Sequence, residues 1–167
     1  MSSHSYSTRP ATSADAGQIA EIYNQGIADR IATFETRLRS ADDILAWFDG
    51  LHPTVVVLDH EAIVAFASCS SYRPRACYAR NAEFSVYVRR DYRGRGAGRV
   101  AMLALIQAAA AAGLHKLVSR VFVENTASRQ MLIGLGFREV GVYEQHGQLD
   151  GLWRDVVIVE YLMRNLG

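Results

Sequence analysis

Residues Asp91–Gly113 read DYRGRGAGRVAMLALIQAAAAAG, in which a glycine-rich turn opens an apolar helical run. Its first eight residues contain three glycines and two arginines. Glycine lets the backbone approach a ligand closely, and the first amides of a helix carry the positive end of its dipole without intrahelical acceptors. The stretch therefore predicts an anion-binding turn, with Arg93, Arg95 and Arg99 adding positive charge around it.

Two well-known phosphate-binding loops do not fit this turn. A P-loop requires a lysine and a serine or threonine directly after its last glycine, and this stretch has neither. The spacing Gly94-x-Gly96-x-Gly98 also differs from the dinucleotide-binding pattern, and no acidic residue follows about 20 positions on to bind a ribose. The glycines alone leave two interpretations open, an anion site or a structural turn with solvated arginines.

Composition and charge indicate an ordinary globular protein. The chain has 167 residues, of which 50% are hydrophobic and 21% charged, and its formal net charge is +1. This length predicts a single domain over residues 1–167, with a polar tail at residues 1–7 in which Tyr6 is assigned no role. The near-neutral charge gives no reason to expect nucleic acid or an anionic membrane surface as a partner.

The cysteines and the apolar runs indicate which covalent or metal sites and which location to expect. Cys69 and Cys77 form neither a zinc-binding spacing nor a disulfide framework, so we expect free thiols and no metal site. No apolar run approaches the roughly 18 residues of a membrane span, and the opening MSSHSYSTRP lacks the apolar core of a signal peptide. We therefore expect a cytoplasmic protein without a membrane partner.

Hydrophobic periodicity predicts a mixed α/β domain. A helix capped by Ser13 is expected to run through Ile27, and Ser40 with Asp43 forms a capping box for a second helix. The segment between these helices has no clear period and is predicted to be a loop. Further helices are predicted at 97–112 and 126–136, and strands at 54–59, 62–70, 82–88, 116–123 and 153–163. Helices and strands thus intermingle along the chain.

Two ordered motifs carry a family resemblance. The pattern Val88-x-x-x-x-Arg93-x-x-Gly96-x-Gly98, after a strand and before a helix, resembles the acyl-CoA pyrophosphate loop of the GNAT N-acyltransferase superfamily. Downstream, Val123–Phe137 (VENTASRQMLIGLGF) is similar to the superfamily's second cofactor segment, in which an asparagine starts a helix that ends in Gly-Phe. The resemblance implies a GNAT fold, with a central, mostly antiparallel mixed sheet flanked by helices.

Four further segments resemble one branch of this superfamily, so that the resemblance covers nearly the whole chain. The branch comprises N-acetyltransferases that act on phosphinothricin, methionine sulfoximine and arsinothricin. The similar segments are 22–27 (IYNQGI), 33–37 (TFETR), 82–88 (AEFSVYV) and 151–160 (GLWRDVVIVE). The resemblance implies acetyl-CoA as the donor and a small amino acid analogue as the acceptor. It also implies direct attack of the amine on the thioester and a homodimer.

The resemblance further implies which residues bind acetyl-CoA. Backbone groups of Val86 and Val88, at a splay in their strand, are expected to align the pantetheine arm and to polarise the acetyl carbonyl. Asn125 is expected to contact the pantetheine arm, and Ser128 is expected to contact the cofactor. The pyrophosphate is expected to bind around Arg93, Gly94, Arg95, Gly96, Gly98 and Arg99.

Glu83 is the candidate general base, because an acceptor amine is mostly protonated at neutral pH and must lose a proton before it attacks. It lies two residues before Ser85, where this branch carries its glutamate; the alternative is a surface glutamate in a salt bridge. Leu132 occupies the position where many GNAT enzymes carry a tyrosine, and this branch often a histidine, to protonate the leaving thiolate. Leucine cannot donate a proton, so no general acid is assigned.

Arg73, Arg75 and Tyr78 lie just before the strand that carries the candidate base. Arginine pairs bidentately with carboxylate or phosphinate groups, and this branch has an arginine-containing segment at its substrate pocket. We therefore expect these three residues to bind the acceptor; the alternative is a solvated basic loop. Phe34 is expected either to form a wall of the acceptor pocket or to serve as an ordinary core anchor.

Two other functions are compatible with the sequence. The acceptor could be a protein N-terminus or a lysine, which predicts an open groove and is disfavoured by the arginine-rich loop. The leucine at position 132 is also compatible with a module that binds acyl-CoA without catalysis. Activity on small amino acid analogues separates these alternatives.

Overall fold

The structure is a computed structural model that describes residues 5–166. Its strands form one seven-stranded sheet in the order β1-β2-β3-β4-β5-β7-β6. The strands are β1 (Ser7–Pro10), β2 (Thr54–Asp59), β3 (Ala62–Ser71), β4 (Asn81–Val88), β5 (Lys116–Phe122), β6 (Arg138–Leu149) and β7 (Leu152–Leu162). The helices are α1 (Ala16–Asp29), α2 (Ala41–Leu45), α3 (Ala97–Ala111) and α4 (Thr126–Gly134). The predicted mixed α/β class and the mostly antiparallel mixed sheet are confirmed, because only β4 and β5 pair in parallel.

Helices cover both faces of the sheet. On one face, Ala101 and Leu105 of α3 are buried in a core that also contains Phe84 of β4. On the other face, α1 and α2 bury Ile19 and Ile44 over the sheet. The central strands are therefore covered on both sides, which explains why β2 and β3 read as nearly continuous apolar runs.

The sheet opens between β4 and β5. The two strands pair only where Asn81–Glu83 lies beside Lys116–Val118. Just beyond the last pair, the Ser119 hydroxyl donates a hydrogen bond to the Phe84 carbonyl oxygen at 2.9 Å. From there β4 continues beside β3 and β5 continues beside β7. The two halves of the sheet thus separate and leave a gap along one edge of β4.

Two observed strands, β1 and β6, are not among the predicted ones. β1 begins at Ser7, inside the predicted polar tail, because its backbone pairs with β2. Tyr6 also departs from that prediction, since its hydroxyl donates a hydrogen bond to the Arg95 carbonyl oxygen at 3.2 Å. Residues 1–4 of the predicted tail lie outside the described residues, and the single-domain interpretation stays a prediction.

The two predicted helix starts have different outcomes. The capping box at Ser40 is confirmed, because its backbone N–H donates to the Asp43 carboxylate at 2.8 Å and its hydroxyl accepts from the Asp43 N–H at 3.2 Å. Ser13 is not the cap of α1, which is a correction. Ser13–Asp15 form a short 3-10 turn before the helix, and the Asp15 carboxylate accepts the N–H of Thr12 at 2.8 Å.

Helix α1 approaches the sheet closely at Gly26. A Cβ atom built there would lie 2.8 Å from Cδ1 and 2.9 Å from Cε1 of Tyr87, whose ring contacts Tyr23 and Phe66. Because this ring cannot move freely, Gly26→Ala should lower the free energy of unfolding by about 1–3 kcal/mol. Urea denaturation measures the change.

Gly17→Ala is the matched control, since Gly17 is exposed in the same helix and its Cβ would meet no described atom within 4 Å. That substitution should raise the free energy of unfolding by about 0.5–1 kcal/mol. Equal effects of the two substitutions would contradict the close packing of α1 on Tyr87.

Candidate active site

A cleft of about 370 Å³ lies where β4 and β5 separate. Its walls come from both halves of the sheet, from the loop between α1 and α2, and from the start of α4. The predicted site residues that line it are Phe34, Arg73, Glu83, Val86, Asn125 and Ser128. The structure therefore brings together the candidate base, the second cofactor segment and part of the predicted acceptor set.

The edge of β4 that faces the gap presents backbone groups. The Phe84 carbonyl points toward β5, where it accepts the Ser119 hydroxyl, whereas the Arg89 N–H points the other way, to Val64 of β3. Because backbone groups alternate in direction along a strand, those of Val86 and Val88 point into the gap. Buried backbone groups need hydrogen-bond partners, so this edge is suited to an extended ligand that carries amides.

The glycine-rich turn forms an open cradle at the start of α3. Gly94 and Gly96 have φ angles of 77° and 84°, in the left-handed region that favours glycine. Gly96 is the N-cap residue of α3 and provides no side-chain cap, and a Cβ on either glycine would contact no described atom within 4 Å. No side chain therefore caps the first turn of α3, and open space lies beside both glycines, as an anion site at a helix N-terminus requires.

Side chains from distant segments hold this turn in place. The Asp29 carboxylate at the end of α1 accepts hydrogen bonds from Arg90 at 2.8 Å and from Arg93 at 2.7 Å. Arg93 therefore ties the turn to α1, which limits its availability for a phosphate. Arg95 and Arg99 form no ion pair with any other described residue, and the Arg95 guanidinium lies 5.4 Å from the Tyr92 ring centroid.

Glu83 is half-buried in the cleft. It has Ser70 of β3 on one side and Val118 of β5 on the other. Among residues 5–166, no side chain forms an ion pair or hydrogen bond with its carboxylate. The salt bridge of the alternative interpretation is thus absent among these residues, and the role of Glu83 as base stays a prediction.

Asn125 caps α4 and reaches across the cleft. Its Oδ1 accepts the Ser128 N–H at 3.3 Å, and its Nδ2 donates to the Ile31 carbonyl oxygen at 3.4 Å. Leu132 also lines the cleft, with a side chain that is 1% exposed. The position that usually carries a proton donor is thus filled by a buried alkyl group.

The predicted acceptor residues divide into two groups. Arg73 lines the cleft, and its guanidinium lies 5.2 Å from the ring centroid of Tyr72, which also lines it. Arg75 and Tyr78 lie outside the lining. Tyr78 packs edge-on against Tyr72 with the ring centroids 5.7 Å apart, so it supports the wall from behind.

Phe34 both lines the cleft and packs against core residues, and its part in the acceptor pocket stays a prediction. Its ring lines the cleft and packs edge-on against Phe122, with the centroids 4.9 Å apart. On its other side the ring lies so close to Gly147 that an added Cβ would be 2.9 Å from two ring carbons. Phe34 is therefore a wall of the cleft that is itself held by core packing.

Several residues of the cleft are not among those predicted from the sequence. They include Tyr23, Glu35, Tyr72, Tyr87, Arg120 and Tyr143. Tyr87 had a detectable signal, since it follows Glu83 and Ser85 at the period-2 spacing of one strand face; burial raises the pKa of its hydroxyl well above the ordinary value. Glu35 is paired with Arg39 at 2.7 Å. This pair also has a local signal, since the two residues are four positions apart.

Metal-ligating side chains, the two thiols and the length of the helices are further features of the described residues. Within residues 5–166, no group of three or more His, Cys, Asp and Glu side chains is arranged to hold a metal ion. Burial raises the pKa of the Cys69 thiol to about 12, whereas Cys77 is exposed. None of the helices described between residues 5 and 166 is long and apolar enough to span a membrane.

Comparisons with known proteins agree with this architecture. The Acetyltransferase (GNAT) family model matches residues 20–137. An L-methionine sulfoximine/L-methionine sulfone acetyltransferase of Pseudomonas paraeruginosa is 34% identical, over 93% of this chain and 94% of that protein. A phosphinothricin N-acetyltransferase of Streptomyces coelicolor is 31% identical, over 91% and 93%. The structure of Salmonella typhimurium yncA with its cofactor acetyl-CoA has a TM-score of 0.89 and 28% identity, and the match covers 95% and 94% of the two chains.

The tether of the glycine-rich turn predicts a pH-dependent contribution to stability. Hydrogen bonds from Arg90 and then Arg93 lower the pKa of Asp29 from 3.8 to about 2. Ionised Asp29 therefore stabilises the fold above pH 4, and this contribution is lost as the pH falls from about 4 to about 2. Asp29→Asn should lower the free energy of unfolding at pH 7 by about 0.5–1 kcal/mol, as measured by chemical denaturation.

The difference from the unsubstituted protein should shrink as the pH is lowered through that window. Glu61→Gln, which removes an exposed carboxyl from the β2–β3 turn, is the control and should change stability little. A loss of stability in Asp29→Asn that is the same at pH 7 and at pH 2.5 would contradict the role of the ionised carboxylate.

Proposed function

The chain belongs to the GNAT acetyltransferase family, and we propose that it acetylates the amino group of a small amino acid analogue of the phosphinothricin, methionine sulfoximine or arsinothricin type. It is an N-acetyltransferase, as its relatives at about 30% identity over most of the chain are. The observation that carries the proposal is the position of Glu83. Its unpaired carboxylate lies in the cleft beside the backbone edge at Val86.

Acetyl-CoA, which supplies an activated acetyl thioester, is assigned to the gap beside β4 and to the turn before α3. The open cradle at Gly94 and Gly96 supports the placement of the pyrophosphate. The gap-facing backbone of Val86 and Val88 supports the placement of the pantetheine arm, and Asn125 lies where it can bind the same arm. The remaining members of this donor site are Arg93, Arg95, Gly98, Arg99 and Ser128.

Glu83 acts as the general base in this proposal. Its carboxylate accepts a proton from the acceptor's ammonium group, directly or through a water molecule, and leaves a neutral amine. The amine nitrogen then forms a bond to the acetyl carbonyl carbon. A backbone N–H on the gap-facing edge of β4, at Val86 or Val88, stabilises the negative charge that develops on the carbonyl oxygen.

The carbon–sulfur bond breaks without an assigned acid. Leu132 cannot donate a proton, and the thiolate of a group with a pKa of about 8.5 leaves without much assistance. Direct attack needs no enzyme nucleophile. This agrees with the state of the two cysteines, since Cys69 is buried with a raised pKa and Cys77 is exposed in a loop outside the cleft lining.

Arg73 supplies positive charge to the acceptor end of the cleft, and Tyr72 supports its guanidinium. A bidentate arginine contact suits a carboxylate, phosphinate or related oxygen group. Phe34 forms the opposite apolar wall. Arg75 and Tyr78 belong to the same proposed acceptor region, in which Tyr78 acts by supporting Tyr72.

The proposal includes a homodimer in the cytoplasm. Val142 and Tyr143 of β6 and Trp153 of β7 are each at least half exposed, and their burial against a second copy would support the homodimer. The reduced state of both cysteines is compatible with a cytoplasmic location.

The activity is tested by release of free thiol from acetyl-CoA. Methionine sulfoximine, phosphinothricin and arsinothricin are supplied as acceptors, beside a peptide with a free N-terminus. Thiol release is expected with at least one amino acid analogue and not with the peptide. Release with the peptide alone would overturn the assigned acceptor class, and acetyl-CoA binding without release for any amine would overturn the assigned catalysis.

In the same assay, Glu83→Gln should lower kcat by about 10²- to 10⁴-fold, because the amide cannot accept the ammonium proton. The dissociation constant for acetyl-CoA, measured by calorimetry, should stay unchanged. Glu61→Gln is the control and should retain full turnover, since that side chain lies outside the cleft lining. Unchanged turnover in Glu83→Gln would reject Glu83 as the base.

A further inference from the structure

Arg120 is a second cation in the same cleft. It lies on β5 and lines the cleft wall. Two positions before Val118 on the same strand, Lys116 is neutralised by Glu160 at 2.7 Å. Arg120, in contrast, forms no ion pair or hydrogen bond with any side chain in the part of the chain that the structure describes. A guanidinium on a regular strand, without a counter-ion and facing a cleft, is suited to bind an anion from the ligand.

The sheet register places Arg120 beside the candidate base. Glu83 pairs with Val118 in the short parallel ladder, and paired residues of neighbouring strands face the same side of a sheet. Arg120 is two residues beyond Val118, so its side chain emerges on that same side, about 7 Å further along β5. Its position therefore follows from backbone pairing and does not depend on a loop conformation.

Arg73 approaches the base from the opposite direction. It lies two residues after Ser71, the last residue of β3, and Ser71 pairs with Ala82 next to Glu83. The carboxylate of Glu83 thus lies between a cation on a rigid strand and a cation on a loop. An amino acid acceptor offers matching charges, since its ammonium group suits Glu83 and its two oxygen-bearing groups suit the two arginines.

The two arginines differ in what they can recognise. The α-carboxylate lies at a constant distance from the reacting nitrogen in every amino acid, so a cation fixed on β5 suits it. The side-chain oxygens lie at variable distances, and the loop cation stacked on Tyr72 suits them. We propose that Arg120 binds the α-carboxylate of the acceptor and thereby selects free amino acids over amines and peptides. This inference rests on the proposed function and deepens it.

Arg120→Gln tests the inference with two acceptors that differ only in that group, methionine sulfoximine and its α-carboxamide. The substitution should lower kcat/KM for the free acid by about 10- to 100-fold, because a charged hydrogen-bonding contact is lost. Turnover of the carboxamide should change little, so the preference for the acid should fall by the same factor. Acetyl-CoA affinity and the melting temperature should be those of the unsubstituted protein.

Three further variants separate the possible causes of a changed preference for the acid over the carboxamide. Arg138→Gln removes an exposed arginine that pairs with Glu160 outside the cleft, and it should keep the preference for the acid. Arg120→Lys should restore part of that preference, and it carries the same comparison if Arg120→Gln does not fold. Arg73→Gln should lower the turnover of both acceptors alike.

If the Arg120 variants lose kcat/KM equally for the acid and the carboxamide, or lose it for neither, the inference is overturned. The acetyltransferase assignment would stay intact. If the unsubstituted protein acetylates neither acceptor nor the other analogues, the proposed function fails first and the inference fails with it.

Discussion

The site depends on the short parallel ladder between β4 and β5. These strands share only three residue pairs, whereas each has a long antiparallel partner on its other side. Beyond Glu83, each of the two strands is therefore held by its antiparallel partner. The sheet can open between β4 and β5 while the pairing on their outer sides is kept. The opening leaves a row of β4 backbone groups unpaired within the sheet, and such groups require hydrogen-bond partners. A ligand that carries amides along its length meets that requirement.

A ligand in this gap must also be positioned at both of its ends. At one end, Asp29 ties the turn before α3 to α1, and Tyr6 binds its backbone at Arg95. Because Arg93 is engaged by Asp29, the affinity of the turn for phosphate rests on its backbone amides and on the two arginines without counter-ions. At the other end, Asn125 links the start of α4 to the loop over the acceptor side of the cleft.

The sequence predicted the elements that bury apolar faces and the residues that belong to ordered motifs. Strand 82–88, the helix from Ala97 and the position of Glu83 in the cleft agree with the structure. Edge strand β6 was missed because glycines interrupt its pattern and most of its side chains are exposed. The turn Asp150-Gly151, with φ angles of 51° and 79°, was its available signal. The ion pair of Arg93 with Asp29 and the place of Arg120 in the cleft depend on contacts between distant segments, which no local pattern reports.

Amide hydrogen exchange on addition of acetyl-CoA tests the position of the donor site, because the assigned site consists largely of backbone groups. Exchange should slow along the β4 edge at residues 84–88 and across the turn at 94–99, and it should stay unchanged in the β6–β7 hairpin at residues 147–153. Saturating acetyl-CoA that binds without protecting either segment would contradict the assignment of the gap between β4 and β5 as the donor site.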